Sequence, residues 1–421
     1  MNTRIRRLLV AIASTACFAA DWPQWLGPTR NGHSRETGLL AEWPSGGPRL
    51  LWKITGLGDG YGAPAVVGGR VYFLGNTGMD EEFVRALSVE DGKTIWSTRI
   101  GKVGNPDQAP AYPASRATPT VEGDRVYAFT SDGDLACLDA ASGKVRWKKS
   151  VRTEFGGKPG KWAYSESPLL DGNAVIVSPG GSEATLLAVD KRNGKVIWKS
   201  AVPGGEDAAY SSAIVVNGGG RKQYVQFLAK GVVGVDAKTG QFLWRYDQTS
   251  KGPANIPTPL AEGDLVYSTA RSLTSGGLVR LKPAADGGVS AEQVYFERGL
   301  PSAIGGAVKV GGTLYGTTGE GLVAADFQTG KVLWKNESVG AGSTLYADGR
   351  LYVHGEDGAV ALVEASSEAY REKGRFTPPE KPAHPRGARE KSWAYPVVAN
   401  GRLYLRDLGT VWCYDIRAAA K

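Results

Sequence analysis

The sequence predicts an all-β fold: an eight-bladed β-propeller of four-stranded antiparallel blades, closed by pairing an N-terminal strand with the C-terminal blade. Three observations carry this. Five segments repeat one pattern, ending at Trp96, Trp147, Trp198, Trp244 and Trp334 and each starting with a glycine four residues earlier. The tryptophans are 51, 51, 46 and 90 residues apart, and the last gap holds two units. A period of roughly 40–50 residues with four strands per unit is that of a propeller. The composition agrees, with 58 Gly and 23 Pro against 2 Met, because short strands need frequent turns.

In chain order, residues 1–20 read as a signal peptide. Arg4-Ile5-Arg6-Arg7 is its basic region, Leu8 to Ala13 its apolar core, and Ser14 to Ala20 its small-residue cleavage region. Cleavage after Ala19 puts Cys17 and Ala19 at the two small-residue positions; cleavage before Cys17 makes a lipoprotein anchored there instead. The apolar stretch is far shorter than the ~20 residues of a membrane span, so no transmembrane segment is expected. Export follows on either reading, with a periplasmic or outer-membrane-associated location.

Residues 21–48 form a Trp-rich N-terminal extension, expected to lie across one face as a cap, and residues 49–421 form the propeller. The unit from Thr118 to Lys148 shows the design. Thr118-Pro119-Thr120-Val121 is a short first strand, and Arg125 to Phe129 alternates along a second. Leu135 to Asp139 is the third, and Asp139 through Gly143 turns the chain into an outer strand carrying Trp147. Such a sheet cannot bury both faces alone, so the units must stack into a ring. First strands begin near Ala63, Thr118, Ser167, Ser212, Thr258, Gly306, Ser343 and Tyr395. The fifth and seventh units lack the Trp, and Tyr295 and Phe376 are its expected substitutes. The eighth unit has only three strands, and residues 49–54, which carry Trp52, supply the fourth by pairing with 411–416.

The pattern Ala-x-Asp-x-x-x-Gly-Lys-x-x-Trp, as in Ala188 through Trp198, resembles the tryptophan-docking repeat of the PQQ-like (quinoprotein-type) eight-bladed propellers. The opening Asp21-Trp22-Pro23-Gln24-Trp25-Leu26-Gly27-Pro28 resembles the start of exported members. The resemblance covers nearly the whole mature chain and implies the fold. For activity it implies two branches: enzymes that oxidise alcohols or sugars with pyrroloquinoline quinone (PQQ) and calcium, and a non-catalytic branch that includes the BamB-like outer-membrane assembly scaffold.

Propeller sites gather where the loops leading into the first strands converge. Tyr61, Arg116, Tyr164, Glu166, Tyr210, Asn255 and Trp393 lie on those loops and are the expected ligand-binding set. Arg116 and Glu166 are expected to pair between adjacent blades. Glu166 and Asn255 are the candidate calcium ligands that the enzymatic branch implies. That branch also uses an Asp as base, and the loop Pro301-Ser302-Ala303-Ile304-Gly305 offers none. No catalytic residue and no cofactor is therefore expected, with PQQ and calcium as the alternative. The favoured reading is a binding or scaffold module whose partner is a protein, small molecule or carbohydrate of the cell envelope.

Other chemistries are excluded by what the chain lacks. Its 50 basic and 42 acidic residues are interspersed without a basic run, which argues against nucleic-acid binding. The three histidines, His33, His354 and His384, have no partner at metal or triad spacing. Cys137 and Cys413 occupy one repeat position a blade apart, beyond disulfide reach.

Overall fold

The computed structural model describes residues 20–104, 115–251, 254–270, 274–285, 287–383 and 391–419. Residues 1–19, which hold most of the expected signal peptide and Cys17, and His384 lie outside them. The described residues form eight four-stranded sheets, each with its chain-order strands side by side except the last. That sheet is closed by Arg49–Ile54, which pairs antiparallel with Thr410–Asp415, Arg49 opposite Asp415 and Ile54 opposite Val411. The two ends of the propeller domain thus meet in one blade, and no edge is left open there. One short helix, Val151–Phe155, follows the second blade, started by Ser150 accepting the Thr153 N–H.

The repeated Trp holds neighbouring blades together. The indole N–H groups of Trp52, Trp96, Trp147 and Trp198 donate to the carbonyls of Val89, Ala140, Lys191 and Ala237, each in the last turn of the next blade. That turn is shaped by its Asp: the Asp139 carboxylate accepts the N–H groups of Ala141 and Ser142. Its glycine lies flat under the ring. At Gly143, φ is +74° and a Cβ would come within 2.5 Å of Trp96. In the fifth unit Tyr295 replaces the Trp, donating to Phe327 O at 3.1 Å. Because that unit has no Asp turn, Trp244 donates inside its own blade, to Gln223. Phe376 packs against Trp43 and Tyr414.

Each Trp strand carries a bulge at the residue before the ring. Ala188 faces Trp198 while Val189 faces Val196, leaving Ile197 unpaired, and Ala86–Trp96 with Leu87–Thr94 does the same to Ile95. The bulge turns the ring into the blade interface and pushes its apolar neighbours outward. Ile95, Val294, Ile197 and Leu333, all bulged residues, are 40–48% exposed for this reason.

The N-terminal extension is not a cap on one face. Within thirteen residues it hydrogen-bonds to all eight blades, and only a segment on the axis can reach eight first strands. Trp22 exchanges two backbone bonds with Val66, and Pro23 O accepts from Val121 N. The Arg30 guanidinium, buried in the channel, donates to Ser167 O, Pro168 O and Ala213 O. Trp25 donates to Thr258 Oγ1 at 2.9 Å, and His33 Nε2 bonds Lys309 O at 2.7 Å. Gly32 and Ser34 bracket Tyr346, and Ser34 Oγ donates to Val398 O. The segment plugs the channel. Cys137 and Cys413 are buried free thiols.

Candidate functional site

From the second blade to the fifth, the loops that lead into the first strands are linked by hydroxyls at one repeat position. Thr118 N donates to Ser167 Oγ, Ser167 N to Ser212 Oγ, and Ser212 N to Thr258 Oγ1. With neighbouring loops fixed blade to blade, the side chains just before them converge on the axis. They enclose a cavity of about 260 Å³ at the channel mouth, and Trp25 of the plug is part of its lining.

Seven of the eight blades contribute to its wall, the seventh being the exception. Four of the expected residues line it: Tyr61, Arg116, Tyr210 and Trp393. Tyr61 and Trp393 pack in a tilted pair with ring centroids 5.2 Å apart, though they lie at opposite ends of the propeller sequence. Tyr210 packs on Trp162 at 5.7 Å, and its hydroxyl accepts the Trp162 N–H at 3.1 Å. Trp25 meets Tyr395 edge-on at 4.5 Å, and Tyr395 donates to Ile304 O. Arg116 donates to Trp162 O at the wall, and Lys391, which also lines it, is ion-paired with Glu356. Ser165 Oγ, buried at the same wall, has no hydrogen-bond partner among the described residues. The result is an aromatic box with Arg116 and the ion-paired Lys391 on its wall.

The other three expected residues turn away from the cavity. Tyr164 is buried, packs on Phe129 at 5.1 Å and donates to Pro179 O at 2.7 Å. Asn255 donates through Nδ2 to Leu228 O, Ala229 O and Ser250 Oγ. Glu166 is buried and accepts from Ser178 N and, at 3.0 Å, from Gln226 Nε2. The expected Arg116–Glu166 pair does not form. The cation whose field reaches Glu166 is Arg30 of the plug, because the carboxylate faces the blades while Arg116 faces the mouth. Burial pushes the Glu166 carboxyl up to about 7, against the opposing pull of those donors and of Arg30.

Glu166 and Asn255 do not fit a calcium ion. Both Glu166 oxygens are already taken by N–H donors, and the Arg30 guanidinium offsets its charge. The buried oxygens without partners nearby, Ser178 Oγ, Gln226 Oε1 and Asn255 Oδ1, are all neutral. Calcium takes 6–8 oxygens, usually several of them carboxylate.

Sequence reasoning missed Trp25, Trp162, Tyr395 and Lys391. A signal for the first two existed, since both tryptophans fall outside the docking repeat and have no place in a blade interface. What hid Trp162 is the backbone between it and Tyr164. Ala163 sits at φ +70°, a conformation unusual for a residue with a Cβ. That residue sends Trp162 to the mouth and Tyr164 into the blades.

The family model described as outer membrane protein assembly factor BamB matches residues 34–160, 80–274 and 275–369. The chain belongs to this family. It is a PQQ-like propeller of the BamB branch. Over 121 residues it is 30% identical to the outer membrane protein assembly factor BamB of Moranella endobia (strain PCIT), covering 29% of this chain and 28% of that one. Over 167 residues it is 30% identical to the dehydrogenase subunit of the alcohol dehydrogenase (quinone) of Gluconacetobacter polyoxogenes, covering 37% and 22%. These matches span less than a third of either relative's length. The crystal structure of BamB from Moraxella catarrhalis shares the fold, with a TM-score of 0.58 at 18% identity, covering 90% of this chain and 100% of that one.

Proposed function

We propose that this BamB-family propeller is an exported, non-catalytic binding or scaffold module that engages its ligand or partner at the channel mouth. One observation carries the reading: loops from seven blades build a single aromatic cavity with Arg116 and Lys391 on its wall. Packing of the blades does not require that many rings around one cavity, whereas contact with a ring-shaped ligand or an inserted side chain does. Export is supported by the basic, apolar and small-residue order of the first twenty residues. Among the described residues no helix is long and apolar enough to cross a membrane. The relatives called assembly factors support the scaffold role.

The quinoprotein relatives give the competing reading, a PQQ- and calcium-dependent alcohol or sugar dehydrogenase. The orientation of Glu166 and Asn255 weighs against it. One experiment separates the two. The purified chain, with Trp25, Trp162 and Trp393 as intrinsic fluorophores at the mouth, is used to capture partners from envelope extracts, beside an Arg116→Ala, Trp393→Ala variant. Capture that the variant loses supports the proposal. Capture that is indifferent to the variant removes the mouth from it. Dye-linked turnover of alcohols after reconstitution with quinone and calcium, abolished by Glu166→Gln, replaces it with the dehydrogenase.

A further inference from the structure

The carboxylate of Glu36 poses a question that the plug's other contacts do not answer. The side chain is 7% exposed and sits over the turn between the first two strands of the last blade. It accepts three backbone N–H groups: Asn400 N at 2.8 Å, Gly401 N at 2.9 Å and Ala20 N at 2.8 Å. Among the described residues no side-chain cation pairs with it. A buried carboxylate held only by neutral donors has lost its water without gaining an opposite charge.

The third donor is the one that can change its charge. Ala20 follows Ala19, and a peptidase that reads small residues at the last and third-last positions before its cut finds Ala19 and Cys17 there. We propose that the chain is cut between Ala19 and Ala20, and that the ammonium so created is the buried cationic partner of Glu36, tying the channel plug to the last blade. Hydrolysis breaks the Ala19–Ala20 amide bond. Water supplies the oxygen of the new Ala19 carboxylate, and its protons complete an α-ammonium on Ala20. That group is charged below its usual pKa of about 8. The Ala20 nitrogen already lies at hydrogen-bond distance from Oε1, so the cut requires no rearrangement to form a charge-assisted bond. A lipid-anchored start at Cys17 leaves Ala20 as a neutral amide and Glu36 without a cation.

The consequence is that processing stabilises the closed ring. The plug joins the closing strand Arg49–Ile54 to every blade, and Glu36 fixes its middle to the same blade that this strand completes. An unprocessed chain makes the same Ala20 N–H hydrogen bond to Glu36 but lacks the charge.

The inference rests on the export reading, and the test separates the two. The full chain with its own leader is expressed in a Gram-negative host and the envelope fraction is analysed by intact mass. A species beginning at Ala20 is the expected result. In parallel, two purified chains are melted: one beginning at Ala20 with a free amine, and one carrying an additional Gly-Ser before it. The free-amine chain should melt higher by about 1–2 °C, as expected for a chain of this length. Glu36→Gln should remove that difference; if this variant does not fold, the comparison of the two wild-type chains stands alone. A chain that keeps its leader overturns both export and the cut. An exported chain that begins at Cys17 or Asp21, or equal melting of the two purified chains, overturns the inference alone.

Discussion

Two buried carboxylates set how this protein should respond to pH. Glu82 accepts Ser131 Oγ at 2.6 Å and Ser131 N at 3.0 Å, yet burial pushes it up to about 8. Glu166 is pushed up to about 7 for the same reason. Both values lie above the ordinary carboxylate range. Between that range and the folded value, the folded chain keeps a proton that the unfolded chain has released. As far as these groups are concerned, stability should be greatest, and level, below the ordinary glutamate value of 4.5, and fall as pH rises through about 7 and about 8. The slope is up to about 1.4 kcal/mol per pH unit for each group. Thermal melts from pH 5 to 8.5 check this: the double variant Glu82→Gln, Glu166→Gln should show a flatter profile and gain on the wild type at the alkaline end. Parallel profiles for the two proteins would contradict the account.

At the scale of the strand and turn, the docking unit has two halves that can be broken separately. Trp52 is 8% exposed, donates to Val89 O at 2.8 Å and packs at a tilt against Tyr404. Trp52→Ala should cost about 3–5 kcal/mol in chemical denaturation, and the loss falls on the blade that closes the ring. The turn glycines give an internal comparison. Gly143 and Gly123 both lie at positive φ, +74° and +57°. A Cβ at Gly123 meets nothing within 4 Å, whereas at Gly143 it collides with Trp96. Gly123→Ala should cost only the backbone strain, about 1–2 kcal/mol. Gly143→Ala should cost about 1–3 kcal/mol more, since ring and turn must separate. Equal costs would mean that the ring does not rest on that turn.

For the molecule as a whole, the plug is the part that no single blade explains. Its bonds to eight first strands make it a hub, and Trp25 adds a lining ring to the mouth. A chain starting at residue 49 retains all thirty-two strands but opens the axis. It should melt well below the full mature chain, and its mouth should lose affinity for any partner captured there. Starting the chain at residue 55 instead removes the closing strand as well and exposes the edge Thr410–Asp415, so that variant should associate. Size-exclusion chromatography of the two truncations distinguishes loss of the plug from loss of closure. A chain from 55 that stays monomeric and melts like the one from 49 would show that closure contributes nothing.

The blades were legible in the sequence because they are written locally. An Asp, a Gly four residues later and a Trp four beyond that specify a turn, a left-handed position and a ring within nine residues. The neighbouring blade carries the same pattern at a fixed distance. Counting strands was then enough to require that residues 49–54 complete the last sheet. The mouth was half legible for the same reason: the loops could be aligned, which placed Tyr61, Arg116, Tyr210 and Trp393. Which way each side chain points within a loop is set by single backbone angles and by distant partners. Ala163 at φ +70° exchanges Trp162 for Tyr164, and Ser178 with Gln226 draws Glu166 into the blades. The plug was illegible altogether. It has no period, and its partners are spread from Val66 to Val398. Only the closed ring brings those residues to one axis, so only the tertiary structure decides that the N-terminal segment fills the channel instead of covering a face.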